Sequence, residues 1–251
     1  MLGFDGYLLA FIRISTFLFA APPFRQRGIP PQVKIGLAGL MAILVAPSIA
    51  FDGEFTRHWI ALVVQEVGVG MLLAFIVSLV FAAIHFSGQL TDFPIGFGLA
   101  TVFDPQSGMQ LPVFSQFYNV LATIIFFAVD AHLWILRALS QSFHYLPFNS
   151  FFSLEFTMEA FAALGKNLFV IGFQIAAPVM GTIVLVDVAL GVITRVVPQL
   201  NVFVMGFPIK NLLGMFVIIL AIPAYVALAA KLFAYDGILM QIIWGLIRSI
   251  S

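Results

Sequence analysis

The apolar positions of this chain run in long blocks, separated by short polar or proline-rich breaks. A helix crossing the hydrocarbon core of a bilayer needs about 20 mostly apolar residues. Blocks at or near that length fall at residues 4–21, 35–51, 59–86, 113–136, 168–197 and 212–233. The second is short but uncharged, and the third is long and carries Glu66. A last apolar stretch, 237–247, is too short to span and is expected along the surface or against partners. Prolines punctuate the map: Pro22-Pro23 ends the first block, Pro30-Pro31 precedes the second, and Pro178 and Pro223 fall inside the fifth and sixth. A proline inside a helix removes a backbone hydrogen bond and kinks or breaks it. In a membrane protein, neighbouring helices re-satisfy the freed carbonyls. The pattern predicts an all-α integral membrane protein with about six apolar segments, in one unit over residues 1–251.

Two stretches depart from the block pattern. Residues 87–112 read SGQLTDFPIGFGLATVFDPQSGMQLP, with four glycines, three prolines, two aspartates and no basic residue. A loop of that length is unusual in a compact domain and is either functional or disordered. Its apolar content (Phe93, Ile95, Phe97, Leu99, Val102, Phe103) argues against disorder, so it is expected to pack. A re-entrant or pore-lining element is allowed at membrane depth only where protein or water covers its backbone. Residues 143–161 carry Phe143, Phe148, Phe151, Phe152, Phe156 and Phe161 together with Glu155 and Glu159. They read as an interfacial amphipathic stretch, with a partner-docking surface as the alternative. Thr157 followed by Glu159 suits the start of the helix leading into the fifth block.

Composition sharpens this picture. The chain is 62% hydrophobic and 9% charged, with mean hydropathy +1.12. Average soluble domains carry roughly 25% charged residues, so this chain is too poor in charge to cover a soluble surface. Net charge is zero, which gives no argument for nucleic acid or anionic partners. There is no cysteine, which excludes disulfides, thiol catalysis and cysteine metal sites. A signal peptide begins with positive charge before its apolar core. Here the first positive residue is Arg13, inside the apolar run, so the first segment is expected to stay in the mature protein.

The charge bias of loops usually fixes orientation. In a six-span arrangement one side holds Arg25, Arg27, Lys34, Arg195 and Lys210, and the other holds Arg57, Arg137, Lys166, Lys231 and Arg248. That balance predicts no orientation. It points to hairpins held by partner proteins as well as by membrane lipid.

Five ionisable residues lie within or at the ends of apolar blocks: Arg13, Glu66, Asp130, Asp187 and Arg195. A charge at the centre of a spanning helix costs at least roughly 2.5–3.5 kcal/mol on insertion scales, so these residues must face partners, water or each other. For Glu66 and Asp187, pairing with a cation or capping of a broken helix stands beside a proton or ion site. Asp187, Gly191 and Arg195 share one helical face. Asp187 and Arg195 lie two turns apart, roughly 12 Å along the axis, and cannot pair directly. The histidines His58, His85, His132 and His144 show no metal-ligand spacing. No Ser-His-Asp order, phosphate loop or CxxC is present, and Gly96-Phe97-Gly98 is only GxG. Neither a catalytic residue nor a cofactor is expected. Gly36, Gly39, Gly68 and Gly70 allow helices to approach closely.

One long stretch carries a family likeness: Ala177-Pro178-Val179, Asp187-Val188-Ala189-Leu190-Gly191, Arg195-Val196-Val197-Pro198-Gln199-Leu200-Asn201-Val202-Phe203, and Gly206-Phe207-Pro208-Ile209-Lys210. Weaker elements are Arg13, Pro22-Pro23, Lys34-Ile35-Gly36-Leu37-Ala38, Gln65-Glu66-Val67-Gly68-Val69-Gly70, Gly88-Gln89-Leu90-Thr91-Asp92 and Asp104-Pro105. Together they resemble the FliR/SctT family, export-gate components of the flagellar type III secretion system and of its injectisome counterparts. The likeness covers nearly the whole chain.

The resemblance implies a channel-forming component of the flagellar export gate, in the bacterial inner membrane at the flagellar basal body. Members work in one complex with FliP and FliQ, interact with FlhB, lie near FlhA, and pass unfolded export substrates. Their helices form tilted hairpins in a helical channel complex, which would account for the balanced charge count. The loop before the fourth apolar segment helps plug the closed channel, which by position assigns Phe103, Asp104, Pro105, Gly108, Met109, Leu111 and Pro112 to a plug or gate. Methionine suits such a seal because it fills irregular gaps. Glu66, Asp187, Arg195, Gln199, Asn201 and Lys210 would then be polar residues that hold subunits in register. The alternatives are an injectisome SctT-type component and an ion-coupled secondary transporter. A transporter would favour inverted repeats, and residues 4–86 and 113–233 show no convincing match.

Overall fold

The structure, a computed structural model, describes residues 4–26, 28–48, 59–97, 113–148, 158–199 and 201–250. Among these residues all regular structure is helical, as the apolar pattern predicts. The helices are α1 (Phe4–Ala20), α2 (Pro31–Val45), α3 (Trp59–Ile95), α4 (Val113–Ala128), α5 (Ala131–Tyr145), α6 (Met158–Val196), α7 (Val202–Phe233) and α8 (Ile238–Ile250).

Local chemistry sets several of the bounds. α2 opens at Pro31, ahead of the expected residue 35. Proline is favoured there because its missing N–H would have no partner in a first turn. α3 continues through residues 87–95, which the sequence pattern assigned to a loop. Ser87 Oγ donates to the Ile84 carbonyl at 2.6 Å, and Thr91 Oγ1 donates to the Ser87 carbonyl at 2.9 Å. Hydroxyls that bond back to their own helix need no solvent, so these polar residues are compatible with a buried helix. Gly96 ends α3 with φ 108, a conformation that costs a glycine little. The rest of the expected loop, 98–112, lies outside the described residues.

The fourth apolar block is two helices instead of one. Asp130 sits between α4 and α5 with φ 57, in the left-handed region, and breaks the ladder. The prolines, by contrast, do not end their helices: α6 runs through Pro178, and α7 through Pro208 and Pro223. α7 also starts at Val202, well before the expected residue 212. By length and hydropathy, Trp59–Ile95, Gly165–Val196 and Val204–Ile247 are able to cross a membrane, and α4 with α5 adds a fourth span if the broken pair counts as one. The all-α membrane class therefore stands, with three or four spans among the described residues where the pattern suggested about six segments.

Residue contacts group into two compact units. One comprises Met1–Val80, Phe126–Ala162 and Lys231–Ser251, and the other Phe81–Ile125 and Ala163–Ala230. The boundaries fall inside helices and not in linkers. The core of the first unit gathers Leu9, Ile14, Phe17, Phe126, Phe233 and Ile247, all buried. Phe126 meets Phe233 edge-on at 5.3 Å and Phe24 at 6.5 Å between centroids. Phe143 and Phe148 belong to this core as well, with rings 5.9 Å apart, so these two are interior packing and not an interfacial face. The core of the second unit is Ile95, Phe114, Val179, Ile183 and Ile218.

Candidate functional site

Polar groups buried among these apolar helices must find their partners within the protein. In the first unit the guanidinium of Arg13, on α1, is fully buried. Its Nε and Nη2 donate to the two carboxylate oxygens of Glu66, on α3, at 2.6 and 3.0 Å. Nη1 donates to Ser142 Oγ at 3.1 Å, and Nη2 also donates to the Leu146 carbonyl at 2.9 Å, at the end of α5. The Phe143 ring lies 4.0 Å from Cζ, a cation–π arrangement. Four of the five guanidinium N–H groups thus have acceptors, and three helices are tied to one side chain. The close approach that allows this comes from Gly70, where a Cβ would lie 2.6 Å from the Arg13 carbonyl oxygen.

The second unit carries a different kind of pair. Lys210 Nζ, on α7, donates to Asp187 Oδ1, on α6. About half of the aspartate side chain and a quarter of the lysine side chain are exposed: 48% and 25%. Elsewhere on the same two helices the exposed side chains include the apolar Val184, Leu185, Val188, Val192, Leu212 and Phe216. Beyond them Arg195 stands exposed in the last turn of α6, where a cation complements the helix dipole. Asn201 Oδ1 accepts the Val204 N–H at 3.3 Å, which caps the start of α7. Gln199 is exposed between these two helices.

The structure thus pairs Glu66 with Arg13 and Asp187 with Lys210, and places Arg195, Gln199 and Asn201 at the α6–α7 connection. Phe103, Asp104, Pro105, Gly108, Met109, Leu111 and Pro112 all lie outside the described residues. Sequence reasoning missed the roles of Ser142 and the Leu146 carbonyl, which nothing in the apolar pattern singles out. It also missed the stack of Tyr118 on Tyr225, 4.9 Å between centroids, with Tyr225 Oη donating to the Tyr118 carbonyl at 2.8 Å. A tyrosine in an apolar block needs a partner for its hydroxyl, and that need was the available signal. Among the described residues no three His, Cys, Asp or Glu side chains converge on a possible metal position.

Comparison with known proteins adds a second line of observation. The family model described as bacterial export proteins, family 1, matches residues 4–235. The flagellar biosynthetic protein FliR of Bacillus subtilis (strain 168) is 35% identical over 237 residues, 92% of this chain and 91% of that protein. FliR of Pectobacterium carotovorum subsp. carotovorum is 35% identical over 226 residues, 89% of this chain and 87% of that protein. The surface presentation of antigens protein SpaR of Shigella flexneri is 29% identical over 211 residues, 83% of this chain and 81% of that protein.

Proposed function

The chain belongs to the bacterial export proteins, family 1, and from that premise we propose that it is a channel-forming component of the flagellar protein export gate. It sits in the bacterial inner membrane at the flagellar basal body, and passes unfolded flagellar proteins in one complex with FliP-like and FliQ-like chains. FlhB and FlhA are the further expected neighbours. The flagellar assignment is supported by 35% identity to two FliR proteins over about nine-tenths of the chain. An injectisome component is the second reading, favoured by that SpaR likeness over 83% of the chain.

One observation supports a multi-chain channel in particular. The Asp187–Lys210 pair is partly exposed, on two helices that also expose Val184, Val188 and Phe216. Only 33% of an apolar 18-residue stretch of Gly165–Val196, and 22% of one in Val204–Ile247, is buried within the chain. Lipid would solvate the valines, leucines and phenylalanines of that face but not the ion pair. A partner helix or a water-lined passage satisfies both. The transporter reading is weakened by Glu66, whose two oxygens are already held by Arg13.

Coexpression with FliP and FliQ, followed by native mass spectrometry in detergent, tests the proposal. A discrete particle containing this chain and several copies of both partners is the expected result. A monodisperse particle of this chain alone would overturn it. Within the proposal, Gly108 and Met109 belong to a plug that seals the closed channel. Deleting either is expected to raise ion leakage of membranes that contain the complex, and unchanged conductance would remove the plug assignment.

A further inference from the structure

Asp92 is an anomaly on its own helix. It lies in the last turn of α3, where a carboxylate opposes the negative end of the helix dipole. It is also buried, at 6% exposure, and burial of a charge is costly unless the charge is paired or fully hydrogen-bonded. No cation pairs with it among the described residues. Its partners belong to the next helix. The Phe114 N–H donates to Asp92 Oδ1 at 2.9 Å, the Ser115 N–H donates to Oδ2 at 3.2 Å, and Ser115 Oγ donates to Oδ2 at 3.2 Å.

These two N–H groups are among the orphan donors at the start of α4. A carboxylate there is favoured by both hydrogen bonding and the dipole. Asp92 therefore caps a helix that begins more than twenty residues later. Its backbone acts on the other side of the junction: the Asp92 carbonyl accepts the Phe97 N–H at 3.1 Å and the Gly96 N–H at 3.3 Å. One residue closes α3 and opens α4.

The surrounding packing is built for this contact. A Cβ at Gly88 would collide with the Phe114–Ser115 backbone, lying 2.8 Å from the Phe114 carbonyl carbon. Only glycine lets the start of α4 come this near to α3. Phe97 and Phe114 then meet edge-on, with centroids 5.7 Å apart. Ser115 is fully buried and Phe114 is 8% exposed.

We propose that Asp92 is the positioning residue that fixes the start of α4 against the end of α3, so that the points where the chain leaves one helix and enters the next are held at one separation. Its consequence for sealing rests on the channel reading above.

The absence of cysteine makes a direct test possible. Phe93 and Phe117 are exposed, at 81% and 41%, and Phe93→Cys with Phe117→Cys gives two spin-label positions, one on each helix. The full chain is coexpressed with FliP and FliQ and studied in its membrane, with the interlabel distance distribution and ion leakage as readouts. Asp92→Ala is expected to widen the distribution, with the frayed population of the first turn of α4 rising roughly fivefold. Asp92→Asn keeps one acceptor oxygen and is expected to give an intermediate width. Ser115→Ala keeps both backbone bonds and stays near the unsubstituted protein. A distribution unchanged in Asp92→Asn and in Asp92→Ala overturns the proposal, whatever the leakage. If Asp92→Ala does not fold, Asp92→Asn against Ser115→Ala decides alone. Widening accompanied by leakage supports both the anchor and the channel. Widening with no leakage keeps the anchor and overturns its consequence for sealing.

Discussion

Arg13 and Glu66 meet with no side-chain surface exposed, whereas Asp187 and Lys210 meet with 48% and 25% of theirs open. Both pairs join a cation on one helix to a carboxylate on another within an apolar setting. The first is closed: every neighbour it needs (Ser142, Phe143, the Leu146 carbonyl) comes from the same chain. The second pair is open to its surroundings. Its helices leave most of their apolar length unburied within the chain. The closed pair belongs to the folding of one chain, and under the proposed function the open pair is the one that partner helices would cover.

The largest expected effect is at the closed pair. Arg13→Ala leaves the Glu66 carboxylate buried with no cation, and Glu66→Ala leaves the guanidinium in the same position. Breaking a buried pair from one side costs about 3–5 kcal/mol, so each single variant is expected to lose most of its folded yield in detergent. Replacing both together, Arg13→Met with Glu66→Leu, removes the charges as well as the bond, and is expected to recover much of that loss. Denaturation of the four proteins side by side measures the effect. Should the double variant export as poorly as the singles while remaining fully folded, the pair would have a role beyond the fold.

Next in size is Gly70. Its missing side chain is what lets α1 reach α3 at Arg13, since a Cβ would lie 2.6 Å from the Arg13 carbonyl oxygen and 3.0 Å from Thr16 Cβ. Gly70→Val forces the two helices apart and is expected to cost about 1–3 kcal/mol, as overpacking does. The same substitution at Gly68, where nothing lies within 4 Å of a Cβ, is expected to leave the melting midpoint almost unmoved. Equal effects at the two glycines would mean that helix spacing is not set at Arg13.

How much of this was legible beforehand depends on the kind of constraint. A guanidinium in an apolar run demands acceptors, so Arg13, and with it Glu66, stood out from the sequence alone. The stop at Asp130 was harder, because an aspartate near the end of an apolar block reads as polar punctuation, and nothing in the apolar pattern marks its left-handed φ of 57. Residues 87–95 misled for a clearer reason. Gly88 and Pro94 are loop residues in water, but Gly88 is there for close packing against Ser115, and Pro94 sits in the last turn of a long helix. The Asp92 cap was illegible, because its donors come from a segment whose return is set by tertiary structure. Family likeness drew attention to residues 187–210, where the charged pair and the Asn201 cap lie, but not to which side chains meet there.

The smallest effect on the isolated chain, and the most telling, is expected at the open pair. Exposed ion pairs contribute roughly 0–1 kcal/mol. Asp187→Ala or Lys210→Ala is therefore expected to shift the melting midpoint of this chain in detergent only slightly. Arg195, exposed two turns along the same face of α6, is expected to behave in the same way. If that face is covered by partner helices, the unpaired charge left by either substitution becomes buried on assembly, where it costs far more than on the surface. The three variants should then fold as single chains and yet fail to retain FliP and FliQ through purification. An Asp187→Ala chain as unstable as Arg13→Ala would erase the distinction between the two pairs. An Arg195→Ala complex that purifies intact but does not export would move Arg195 from assembly to the passage itself.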